Sequence, residues 1–85
     1  MTHSPVAIYA DFSNSDPKGR LRLNLYGTQK DLDARGLELS EGRRLVLSDG
    51  ELRVPAVAHF SNEEGIWVAE IRWSEVTDAD DKTEE

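Results

Sequence analysis

The chain has 85 residues, no cysteine and a formal net charge of −7, which excludes a disulfide framework, a cysteine-based zinc site and a thiol nucleophile. Its length fits one domain, which buries only about 60–65% of the surface its unfolded chain exposes. No segment approaches the roughly 20 apolar residues that span a bilayer, and MTHSPVAIYA lacks the basic and apolar regions of a signal peptide, so the expectation is a cytoplasmic protein with no membrane association.

Residues 6–12, VAIYADF, alternate, with Val6, Ile8, Ala10 and Phe12 on one face, and predict a half-buried strand. Asp16, Pro17 and Gly19 in SNSDPKG occupy positions favoured in a type I turn. RLRLNLY then alternates again, Leu21, Leu23 and Leu25 inward, and reads as a second strand hairpinned to the first. The period changes at GTQKDLDARGL. Thr28 is the expected N-cap of one short helix at about residues 29–35, and Gly36 its C-terminal stop, with Leu32 and Leu37 meeting across the end.

After a tight turn at Glu41-Gly42, RRLVLSDGELRVPAVAHF reads as a hairpin about Asp49-Gly50. A two-residue turn there pairs Ser48 with Glu51, Leu47 with Leu52, Val46 with Arg53 and Leu45 with Val54. Pro55 cannot donate a ladder hydrogen bond, so it marks a bulge or a place without a neighbour on its N–H side. A loop at Ser61–Glu64 leads into GIWVAEIRW and sets Phe60 against Gly65, Ala58 against Trp67, Ala56 against Ala69, Val54 against Ile71 and Leu52 against Trp73. Trp67 is then core, Trp73 is a rim residue, and Arg53 lies across from Arg72.

Five alternating strands and one short helix predict an all-β or at most small α+β fold. The expected form is a five-stranded, strongly bent antiparallel sheet or SH3-like barrel. Residues 74–85, SEVTDADDKTEE, carry six acids and one base, while the rest nearly balances at −2. The expected organisation is a flexible arm at 1–5, one β-barrel domain at 6–75 and an acidic disordered tail at 76–85.

Chemistry-bearing patterns are sparse. Of the two histidines, His3 lies near the start and His59 faces outward with no carboxylate or second ligand at a diagnostic spacing. No Gly-x-Ser-x-Gly elbow and no glycine-rich phosphate loop follows a strand, and DADDKTEE lacks the central glycine and the twelfth-position glutamate of a calcium loop. No catalytic residue, metal ligand or cofactor is assigned, and the protein is read as non-enzymatic.

The binding residues singled out are Arg53, Arg72 and Arg44 on the outer sheet face, with Arg20 and Arg22 nearby, and the aromatic residues Trp73 and Tyr26. Guanidinium forks suit carboxylates and phosphates. The first functional reading is an interaction or regulatory module, a monomer or weak dimer, that binds a protein partner. The second is a regulator that binds a small anion, a nucleotide or a short single-stranded nucleic acid on the arginine face. The negative charge disfavours duplex DNA.

Overall fold

A computed structural model describes residues 7–78. The alternating segments form β1 (Ala7–Tyr9), β2 (Leu21–Arg22), β3 (Arg44–Ser48), β4 (Leu52–Ser61), β5 (Ile66–Ile71) and β6 (Thr77–Asp78), with α1 (Tyr26–Ala34) between β2 and β3. The order is β1-β3-β4-β5-β2, with β6 laid on β4, and the sheet curls strongly into a half-barrel. The small bent sheet expected from the alternation is what forms. The expected arm at 1–5, Val6 and residues 79–85 lie outside the described residues.

Successive side chains of a strand point to opposite faces, so paired residues build rows. Ile8, Leu47 and Val54 stand abreast across β1, β3 and β4 and are at most 1% exposed. Ala58, Ala69 and Leu21 form another inner row across β4, β5 and β2, all fully buried. Leu23 and Leu32 complete the interior. Alternating small and large residues of this kind let a curled sheet fill its own concavity without voids.

The sheet is mixed, not wholly antiparallel, because β1 pairs in parallel with β3. The expected hairpin of the first two strands is therefore corrected: β2 pairs with β5. The Asp16–Gly19 turn does form, with the Gly19 N–H bonded to the Asp16 carbonyl at 2.9 Å. What it joins is the short segment before it to β2, through a bridge between Ser15 and Leu21. Asp11 accepts the Ser13 N–H and hydroxyl on its carboxylate, so Asp11 and Phe12 fall outside β1 although the alternation of residues 6–12 places them in the strand.

Helix α1 starts three residues earlier than expected. Thr28 lies inside its first turn, and the hydroxyl donates to the Tyr9 carbonyl at 2.6 Å instead of capping. The Tyr9 N–H donates to Asp31 at 2.8 Å, so the helix occupies both backbone groups that Tyr9 presents at the open edge of β1. At the other end the Leu37 N–H reaches the Leu32 carbonyl and the Gly36 N–H the Asp33 carbonyl, as the Leu32–Gly36–Leu37 spacing predicts.

Both long hairpins slip by two residues from their expected registers, which leaves every side chain on its expected face. In the first, Ser48 pairs with Arg53, Leu47 with Val54 and Leu45 with Ala56. A two-residue turn needs a left-handed Asp49, yet among the described residues only glycines have positive φ. The Asp49 carboxylate instead accepts the Glu51 and Leu52 N–H groups at 2.9 and 2.8 Å. That side-chain turn widens the loop to four residues.

In the second hairpin Ser61 pairs with Ile66, Phe60 with Trp67, Ala58 with Ala69 and Ala56 with Ile71. Gly65, at φ 70°, closes the loop by donating to the Ser61 carbonyl at 2.7 Å, so it is spent on the turn and not in the ladder. Trp67 moves from Ala58 to Phe60, its ring meeting that ring edge-on at 5.4 Å between centroids. It packs on the core while staying partly exposed, a correction to its expected full burial.

Pro55 conforms to its expectation. The Ala58 N–H donates toward β3, so odd positions of β4 donate toward the opposite side. There Pro55 falls in the gap between the Ala56–Ile71 pair and the Arg53–Thr77 pair. Beyond Ile71 the chain makes a 3-10 turn, Trp73–Glu75, and returns as β6, and Val76 packs on the core. A boundary after residue 75 thus falls inside the sheet.

Candidate functional site

The outer face of the sheet carries two rows that combine charge with apolar surface: Arg44, Val57 and Glu70, then Val46 and Pro55, with Arg72 extended one residue beyond β5. A groove of about 700 Å³ lies where these strands meet the segments entering and leaving them. Arg35, Arg43, Arg44 and Arg72 line it, with Val46, Pro55 and Val57 from the outer face and Leu37, Leu45, Ala56 and Ile71 from the helix end and the inner-face row, and Glu70 and Glu75 are its acids. Among the described residues none of those four arginines forms an ion pair.

The other arginines differ. Arg20 bonds the buried Asp16 carboxylate at 2.8 Å. Arg22 forms a fork with both oxygens of Glu64 at 2.8 Å and holds Asn14 and the Ser15 carbonyl at 3.0 Å. The Glu64 bond comes first in raising the Arg22 pKa, against weaker desolvation. These two guanidinium groups strap the Asp11–Arg20 segment and the β4–β5 loop together, so they serve the fold.

The slipped registers separate the expected site. Arg53 pairs with Ser48 and Thr77 rather than facing Arg72, so the like-charge pair does not exist. It lines a smaller groove of about 480 Å³ that shares Val46, Pro55 and Glu75 with the larger one. Trp73 sits apart: its indole N–H donates to the Gly19 carbonyl at 3.0 Å and its ring meets Phe12 edge-on, with 48% of the residue exposed. Tyr26 is 79% exposed at the start of α1 with the Lys30 ammonium over its ring, and is not part of the groove. Of the expected residues, Arg44 and Arg72 share one groove and Arg53 adjoins it, whereas the aromatics stand elsewhere.

Sequence spacing missed Arg35 and Arg43, and it missed a cluster around His59. The Glu41-Gly42 turn is tied to β4 by the Gly42 N–H, which donates to the Ala58 carbonyl at 2.8 Å. That brings Glu41 onto His59 Nδ1, while Nε2 faces Glu70 Oε1 at 3.0 Å, so the expectation of no oriented carboxylate is corrected. Glu41 also accepts the Phe60 N–H at 3.0 Å. The Glu41 hydrogen bond raises the imidazole above its usual 6.5, opposed by desolvation and aided by the charge of Glu41 and by Glu70. The same bond, then the Phe60 N–H, lowers the Glu41 carboxyl. With its carboxylates on opposite ring nitrogens, this cluster cannot converge on one ion, and among the described residues no group of three metal-holding side chains is found.

A pH dependence of stability follows. The folded-state value of His59 lies above its unfolded value, so its contribution is complete below about pH 6.5 and is lost as pH rises through the folded value. The urea midpoint of the wild type is expected to fall across that window. In His59→Gln this fall should be absent; an unchanged slope in the variant would show that the bridge carries no net stability.

No family model, curated protein or solved structure matches the chain.

Proposed function

We propose that the protein is a non-enzymatic interaction module that binds an acidic, partly apolar segment of a partner protein in the arginine-lined groove. The observation that carries this reading is the set of four arginines, without ion pairs among the described residues, beside apolar side chains. A guanidinium accepts no hydrogen bond and matches a carboxylate two-pronged. Apolar contacts beside it exclude water and strengthen that pairing. A strand edge is the weaker docking place, since both polar backbone groups of Tyr9 are occupied and β2 has two residues.

The second reading, a nucleotide or short single strand, needs an aromatic platform for its bases. Trp73 and Tyr26 were its sources, and neither lines the groove. The reading therefore keeps phosphate pairing and loses stacking.

The test is a titration of a labelled, end-capped peptide of glutamates and leucines, followed by anisotropy. Affinity is expected to fall steeply as salt rises from about 0.05 M to about 0.3 M. Arg44→Glu and Arg72→Glu should each weaken binding about tenfold, within the range for charge pairs at interfaces, while Tyr26→Ala leaves it unchanged. A flat salt dependence, or an oligonucleotide of equal charge binding more tightly, would refute the reading, the latter in favour of the nucleic-acid ligand.

A further inference from the structure

The His59 bridge has a chemical constraint that reaches the groove. Each ring nitrogen faces a carboxylate oxygen. Only the imidazolium has two N–H donors; a neutral imidazole has one donor and one lone pair. The neutral ring therefore satisfies one carboxylate and repels the other. Glu41 keeps a second hold through the Phe60 N–H. Glu70 has no other hydrogen bond among the described residues, so it is the one released.

Glu70 also lines the groove. It shares its row with Arg44, across Val57, and lies two residues from Arg72 on the same face of the chain, about 7 Å along the strand. Among the described residues the other charge along the His59 row is Arg22, reached across Val68 and already tied to Glu64.

We propose that His59 is a positioning residue that sets the groove's affinity for acidic ligands through Glu70. The imidazolium holds Glu70 away from the arginines. The neutral ring frees it to pair with Arg72 or Arg44, where it competes with the ligand carboxylates. This inference rests on the groove being the binding site.

The experiment measures the affinity of the same capped peptide between about pH 6 and about pH 9, a range in which its own carboxylates do not titrate. Wild-type affinity is expected to fall about two- to fivefold, the worth of one exposed charge pair. His59→Gln should bind at the weaker level at both ends, and Glu70→Gln at the tighter level at both. His3→Gln, which removes the other histidine, should keep the wild-type fall. In the free protein, the Glu70 carboxylate resonance should move with the His59 titration, and a Glu70 signal that stays still while His59 titrates sinks the proposal even where a variant does not fold. Wild-type binding that ignores pH, or a fall that persists in His59→Gln, overturns this inference alone. Peptide binding absent at every pH removes the groove reading and this inference together.

Discussion

Leu47→Ala is expected to cost the protein about 3–5 kcal/mol, a large part of the roughly 4–13 kcal/mol that a domain of this size holds in total. Leu47 is fully buried between Ile8 on β1 and Val54 on β4, neighbours that are themselves at most 1% exposed. The cavity cannot close by moving β1, because Tyr9 is pinned to Thr28 and Asp31 through both its backbone groups. Urea unfolding followed by circular dichroism should show the midpoint falling at constant slope. Trp67→Ala serves as comparison: partly exposed and packed on Phe60 at the core margin, it should cost less than Leu47→Ala despite removing more atoms. The reverse order would mean that the aromatic pair, not the Ile8–Leu47–Val54 row, is the keystone of the half-barrel.

The faces of the strands were legible because a period of two survives a slip of two. Leu45, Leu47, Val54, Ala56 and Ala58 point inward in the expected and the observed registers alike. Which residue stands opposite which was not legible, because each register depends on a few hydrogen bonds at one loop. The Asp49 carboxylate captures two backbone N–H groups in the first hairpin, and the Ser61 carbonyl and hydroxyl capture those of Gly65 and Glu64 in the second. Slips of two moved Arg53 away from Arg72 and Trp67 away from Ala58.

The parallel pairing of β1 with β3 was hidden for a different reason. It is a crossover through α1, and no local pattern in VAIYADF states its partner. The groove was partly visible: Arg44 and Arg72 read as outward cations, but Arg35 reaches it only through the helix end. The His59 cluster was invisible, since Glu41 is 18 residues away and arrives by the docking of its turn on Ala58. A histidine with outward alternation beside a glutamate-glycine turn carries no spacing rule that foretells such a bridge.

Asp16→Ala is the second large effect, expected at about 3 kcal/mol because it removes the buried partner of Arg20, whose guanidinium, 18% exposed, keeps only Glu63 at 3.8 Å, and leaves two N–H groups without their acceptor. The Asp16 side chain is 1% exposed. One of its oxygens accepts the Lys18 and Arg20 N–H groups, both at 2.9 Å, and the other the Arg20 guanidinium at 2.8 Å. Burial pushes this carboxyl up, but those Arg20 and Lys18 bonds together outweigh it and hold it below its usual value. Its contribution is therefore complete above about pH 4 and is lost as pH falls through the folded value. Asp16→Asn keeps an acceptor oxygen for the two N–H groups and should cost only about 1–2 kcal/mol, while losing the acid limb of the stability profile. The turn also seats Trp73, whose indole N–H binds the Gly19 carbonyl, and Trp73 opens the 3-10 turn that carries Glu75 to the groove. In Asp16→Ala, Trp73 emission should shift to the red and peptide affinity should drop along with stability. An alanine variant as stable as the wild type would show that the turn is held by Pro17 and Gly19 alone, and that the route from Asp16 through Trp73 to the groove does not exist.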